Sequence, residues 1–206
     1  MKRNLVIVCI LACLSVAAFT AIAAVGFVYD VLAAGIVGVI LAFVSCWFLF
    51  GSVYREHLYD AVNSRFRAGD YAAALMVLEK AERNHLLYPM VRIMACQLHV
   101  KVALALDDVD AVNRYIARLR HEGGNGWKYR TAYAVILLNL DWGDISAAHV
   151  EYEDFRAACA HAQIYHDQIE VLDAVFSHIE GKPVELPKDA KQSPYPVVYR
   201  VVRKYC

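Results

Sequence analysis

Two uninterrupted apolar runs open the chain. From Leu5 to Val28, and again from Val31 to Tyr54, there are 24 consecutive residues without a charged side chain, parted only by Tyr29 and Asp30. At about 1.5 Å per helical residue each run reaches about 36 Å, enough to cross a hydrocarbon layer of about 30 Å. Lipid offers an exposed backbone no hydrogen-bond partner, so helix is the form expected of both, and so short a link makes them an antiparallel hairpin. After Arg55 the pattern turns to helical runs separated by Gly, Asp and Pro, with no strand alternation between residues 57 and 180. Leu104, Leu106, Val112, Ile116 and Leu119 have the spacing of a buried stripe, and a further helix from about His161 carries Ile164, Ile169, Leu172, Val175, Phe176 and Ile179. Pro183, Pro187, Pro194 and Pro196 then forbid a continuous helix, so an extended strap is expected from Gly181 to Pro196, followed by a short, β-rich, basic stretch from Val197 to Tyr205. The expected fold class is all-α, with a transmembrane helical hairpin over residues 1–54, a helical domain over 55–180 and a Pro-containing tail over 181–206.

Composition adds direction to this pattern. Hydrophobic residues make up 59% of the 206 and charged ones 20%, which excludes disorder, and 10 Gly and 6 Cys are too few for a collagen-like or disulfide-scaffold chain. Residues 1–54 hold only Lys2, Arg3 and Asp30, while the remainder holds 19 basic and 20 acidic side chains, so no net attraction draws it to nucleic acid. Lys2 and Arg3 precede the first run, Arg55, Arg65 and Arg67 follow the second, and the tip has no basic residue. The positive-inside bias thus places both termini in the cytoplasm, in what is expected to be a bacterial inner (plasma) membrane. A cleaved signal peptide over Met1–Ala24 is the competing reading, but the apolar run continues past Ala21-Ile22-Ala23 into Val25, Phe27 and Val28. Small residues recur at every fourth position, Cys13, Ala17 and Ala21 on the first run and Ala34, Gly38 and Ala42 on the second, and are expected to pack the two helices closely. Neither run contains an ionisable Asp, Glu, Lys, Arg or His, so no ion or proton pathway is expected through this chain alone. Cys9, Cys13, Cys46, Cys96, Cys159 and Cys206 form no CxxC pair, in keeping with free thiols in a reducing compartment.

A repeat underlies the helical part. Arg67-Ala68-Gly69-Asp70-Tyr71-Ala72-Ala73-Ala74 returns 74 residues later as Asp141-Trp142-Gly143-Asp144-Ile145-Ser146-Ala147-Ala148, and Leu106-Asp107-Asp108-Val109-Asp110-Ala111 lies near the midpoint. Gly69 suits the positive φ that ends a helix, Asp70 suits the cap of the next, and Ala74 leaves room for the preceding helix. These residues resemble the tetratricopeptide (TPR) repeat family, with Ala74, Leu78 and Ala81 at its packing positions and Gly143, Asp144, Ile145, Ala148 and Tyr152 in the third copy. In the middle copy Asp107 stands in place of Gly. The resemblance covers roughly residues 55–156 and implies an α-solenoid of about three helix pairs plus a capping helix. An irregular helical bundle with two chance Gly-Asp turns is the alternative.

The resemblance further implies a concave surface lined by the first helix of each pair. Carried over, the groove positions are Tyr59, Asn63, Phe66 and Arg67, then Gln97 and Lys101, then Arg130, Tyr133 and Leu137. Asn63 fits a carboxylate clamp of the kind some members have, but Tyr59 stands where the clamp Lys is expected. No catalytic motif accompanies the repeat: His121 to Lys128 lacks phosphate-loop spacing, there is no nucleophile elbow, zinc-binding HExxH pair or dinucleotide fingerprint, and Cys159, His161 and His166 do not share one helix face. The expectation is a non-enzyme without cofactor or metal. It binds another protein or peptide, itself membrane-associated, through a cytoplasmic repeat surface, with the lipid bilayer as a second partner and no nucleic acid or small-molecule substrate. An accessory subunit of a transport, secretion or respiratory complex, with the hairpin as its main interface, is the alternative; a membrane-bound hydrolase using Cys159 or the nearby histidines is a third reading.

Overall fold

A computed structural model describes residues 2–28, 32–83, 89–122, 127–159, 165–182 and 184–206, and among these the chain is helical without strands. The elements are α1 (Lys2–Val28), α2 (Leu32–Arg67), α3 (Tyr71–Glu82), α4 (Pro89–Ala105), α5 (Val109–Glu122), α6 (Trp127–Trp142), α7 (Ile145–Cys159), α8 (His166–Ile179), α9 (Lys188–Lys191) and α10 (Pro196–Tyr205). The hairpin tip at Tyr29 and Asp30, the Gly-rich stretch after Glu122, and His161 and Ile164 lie outside the described residues.

α1 lies along the first part of α2. They lie close together at Gly38, where an added Cβ would meet Ala23 N at 2.7 Å and Phe19 O at 2.8 Å. The face of α1 turned to α2 therefore runs through Val16, Phe19 and Ala23, whereas Cys13, Ala17 and Ala21 lie on the exposed side, so the stripe expected on the first run is displaced. In a helix apolar all round, small residues alone do not select a face; the position of the partner's glycine does. Gly38 is buried, Ala42 is half-buried, and the side chain of Ala34 lies outside the described residues.

α2 then continues without a break through residues 54 and 55, the expected edge of the hairpin domain, and becomes the first helix of the repeated packing. Its 36 residues extend about 54 Å. Three turns of one design follow, ending α2, α4 and α6. Asp70 N donates to Arg65 O at 3.0 Å, Asp108 N to Ala103 O at 3.0 Å and Asp144 N to Asn139 O at 2.9 Å, each closing the helix behind a left-handed residue. Those left-handed residues are Gly69 (φ 76°), Asp107 (φ 58°) and Gly143 (φ 89°). The carboxylate that follows each caps the next helix: Asp70 accepts from Ala73 N at 3.0 Å, Asp108 from Ala111 N at 2.9 Å and Asp144 from Ala147 N at 3.0 Å. The middle turn, which lacks glycine, thus folds as the other two do.

Ala74, Leu78 and Ala148, at the small and large packing positions, have no accessible surface, and Ala81, Tyr152 and Phe155 are buried with them. One apolar cluster joins Leu58, Val62 and Phe66 of α2 to α3 and α4; a larger one runs from α4 through α8 to α10. α8 is fastened to α7 by Tyr152 Oη, which donates to Asp173 Oδ1 at 2.5 Å.

The C-terminal segment departs from the expected strap and β-rich stretch. Residues 188–191 form a short helix, and Val197 to Tyr205 belong to α10, with Val197, Val198 and Val201 fully buried. Pro196 sits at the first turn, where its missing N–H costs nothing, and burial of one valine face outweighs the weak helix propensity of β-branched residues.

Two glycine substitutions should separate the two kinds of constraint. Gly38→Ala drives a Cβ into the backbone of α1 and should cost more than about 1 kcal/mol. Gly69→Ala meets no atom within 4 Å, and only its left-handed backbone resists, at about 1 kcal/mol. Thermal melts of the detergent-solubilised full chain check the order; an equal or smaller loss at Gly38 contradicts the close crossing.

Candidate interaction surface

α2, α4 and α6 run side by side with their C-terminal ends together, because each ends at one of the three matching turns. Their shared face carries most of the residues expected in a groove. Asn63 is buried; its amide nitrogen donates to Tyr59 O at 2.9 Å and its oxygen accepts from Lys101 Nζ at 2.7 Å. Lys101 also stands 4.2 Å above the Phe66 ring. Burial first, and the positive Arg67 second, lower the pKa of the Lys101 ammonium. With its amide oxygen turned toward α6, Gln97 accepts from Arg130 Nε at 3.2 Å and Nη1 at 2.9 Å. Asn63, Lys101, Gln97 and Arg130 thus form two polar contacts across three helices. Tyr59, Arg67 and Arg130 are exposed beside them.

The apolar half of this face is already covered by the chain itself. Tyr195 packs its ring 6.1 Å from Phe66 and 6.3 Å from Tyr133, and burial, then the neighbouring Tyr71 phenol, push its own phenol pKa up. Leu137 does not line an open surface: it is fully buried in the same cluster as Val197, Val198 and Val201. Arg200 fixes α10 in place by reaching two turns at once. It donates to Asp107 at 2.6 and 2.9 Å and to Asp141 at 2.8, 3.0 and 3.1 Å. Its bond to Asp107 also helps offset the strain of that left-handed backbone. Lys204 Nζ donates to Asp141 O at 2.9 Å and Tyr205 Oη to Leu140 O at 2.9 Å, satisfying carbonyls at the end of α6. Tyr195 and Arg200 were not among the expected site residues; the signal available was Pro196 followed by valines at helical spacing opposite Arg200, Arg203 and Lys204.

Chemistry is sparse elsewhere. Among the described residues no three His, Cys, Asp or Glu side chains group as metal ligands. Cys159 is buried, and burial pushes its thiol up, away from the thiolate that a nucleophile needs. A cleft of about 390 Å³ between α6 and α7 is lined by Tyr129, Ala132, Glu151, Asp154 and Phe155 without such a nucleophile. His99 stands apart from all of these. It is fully buried, stacked on Tyr115 at 4.1 Å, and neither ring nitrogen has a hydrogen-bond partner. Glu82 lies 3.5 Å away, but its carboxylate is engaged by Arg118 at 2.9 Å. Desolvation first, then Arg118 and Arg114, lower the pKa of His99 to about 4.

The fold and this surface define a class: an all-α chain with repeated helix packing, a shared helix face partly covered by its own C-terminal segment and, among the described residues, one helix long and apolar enough to cross a membrane. No family model matches the chain, and neither a curated protein nor a solved structure matches it.

Tyr195→Ala should remove the ring held between Phe66 and Tyr133 and lower stability by about 2 kcal/mol, with increased binding of an apolar dye; unchanged dye binding would show that the face is not covered from within. For His99 the folded state holds the ring neutral while the unfolded chain protonates near 6.5, so stability is full above pH 6.5 and is lost as pH falls toward 4. The loss amounts to about 3 kcal/mol, and His99→Phe should flatten it in denaturant titrations compared across that window.

Proposed function

We propose that this chain is a membrane-anchored, TPR-like protein-binding subunit, an adaptor or assembly factor whose repeat surface faces the cytoplasm and whose function is capture without turnover. The helix Gly35–Arg67 supports the anchor: it is long enough to span, and only 11% of its apolar window is buried, unlike the core helix of a soluble domain. α1, paired to it through Gly38, is the second leg of the hairpin, and the basic flanks orient both termini inward. The observation that carries the binding role is the row of polar groups on α2, α4 and α6. Because Tyr195 and α10 fill the apolar half of the concave face, the partner segment engages the remaining half, at the exposed Tyr59, Arg67 and Arg130, with Lys101 and Gln97 half-buried between them and Asn63 beneath, holding Lys101 in place. An extended peptide or a helix with acidic side chains suits Arg67, Lys101 and Arg130.

A second reading draws on the apolar flank of α2. Phe43, Phe48 and Phe50 are between 63 and 70% exposed, on faces of α2 that α1 leaves uncovered, and would equally suit a neighbouring transmembrane subunit.

Photo-crosslinking residues placed at Tyr59 and Arg67 in native membranes should yield one discrete protein adduct, while Val150 on α7, more exposed than Tyr59, should yield none. Adducts from Phe43 and Phe48 alone would favour the second reading, and no adduct at any of these sites would remove both.

A further inference from the structure

We infer that the end of the helical stack opposite the Gly-Asp turns rests on the anionic headgroups of the membrane, with Arg55, Arg83, Arg92 and His121 in the contact layer. This rests on the proposed anchor, since it takes the apolar part of α2 as the span. The height of each residue follows from contacts between helices. Asn63 of α2 meets Lys101 of α4 at 2.7 Å, so the two helices share one level there. Nine residues back along each, about 14 Å nearer the span, stand Tyr54 and Arg92. α3 returns antiparallel from the turn at Gly69, which puts Arg83 and Arg55, each 14 residues from that glycine, at one height. α5 returns from the turn at Asp107 and brings His121 to the height of Arg92. The ends of α3 and α5 are level with each other, since Glu82 and Arg118 are joined at 2.9 Å.

Four basic side chains from four helices therefore occupy the level at which α2 passes from its apolar run to Arg55. Arg83, Arg92 and His121 are exposed, as is Arg120 beside them. The acids at this level are largely occupied: Glu56 is held by Arg55 at 3.3 Å and Glu82 by Arg118. Glu79 lies about one turn further from the span, and Glu122 ends α5. A rigid α2 leaves this rim little freedom to lift away, so the layer presents Arg83 and Arg92 to a negatively charged leaflet, each arginine worth about fivefold in affinity near such a surface.

The test uses the full chain in nanodiscs of phosphatidylcholine, with and without roughly a third phosphatidylglycerol, read by hydrogen exchange. Amides from Lys80 to Arg83 and from Leu119 to His121 should exchange several-fold more slowly in the anionic discs. That difference should disappear in Arg83→Glu/Arg92→Glu and in high salt, and should persist in Arg203→Glu at the far end of the stack. Equal exchange in the two discs, with the chain co-eluting with them, overturns the lipid contact and leaves the anchor standing. A chain that does not enter the discs overturns both. The wild-type comparison needs no variant, so a double mutant that fails to fold does not spare the proposal.

Discussion

The rest of the structure depends on one unbroken helix. α2 begins in an apolar run against α1 and ends 36 residues later at the first Gly-Asp turn, so one rod joins an exposed apolar stretch to the packed helical stack. Its first half exposes large apolar side chains, Ile36, Val37, Ile40, Phe43, Phe48 and Phe50 among them. Its second half turns Leu58, Val62 and Phe66 inward to found the first apolar cluster of the stack. Because no hinge intervenes, the height of every helix packed on α2 is set relative to the apolar run, and a tilt of that run is a tilt of the whole repeat face.

The stack closes on itself by an unusual route. α10 returns across α4, α6 and α8, packs three buried valines against them, and ties two turns together through Arg200. Helix pairs of this kind leave an apolar face at the end of the array and a concave one along its side, each of which needs cover. Here one C-terminal segment covers part of both. The shared face of α2, α4 and α6 is thereby divided into an apolar part covered from within by Tyr195 and a polar part where Tyr59, Arg67 and Arg130 stay exposed.

Much of this was legible in the residues, for reasons that differ by element. The turns at Gly69-Asp70 and Gly143-Asp144 were visible because positive φ and capping demand particular side chains, and even the departure at Asp107 left its capping Asp108 in place. The face of α1 was not visible, since a helix that is apolar on every side carries no periodic signal, and the deciding atoms belong to Gly38 on another helix. α10 was obscured by β-branched valines, whose local preference is outweighed only by burial against other helices, α4, α6 and α8. Asn63, Phe66, Lys101, Gln97 and Arg130 do share one face, whereas Leu137 is sealed beneath α10. Nothing local marks His99 as buried, because its burial depends on α5 and on Tyr115.

The most direct test of the central claim is the depth of two tryptophans on either side of the proposed interface. In single-tryptophan variants of the full chain reconstituted with brominated lipid, Trp47 on α2 should be strongly quenched and Trp142, at the far end of the stack, should keep its full emission. Strong quenching of Trp142, or none of Trp47, would contradict a helix that carries the repeat stack out of a bilayer.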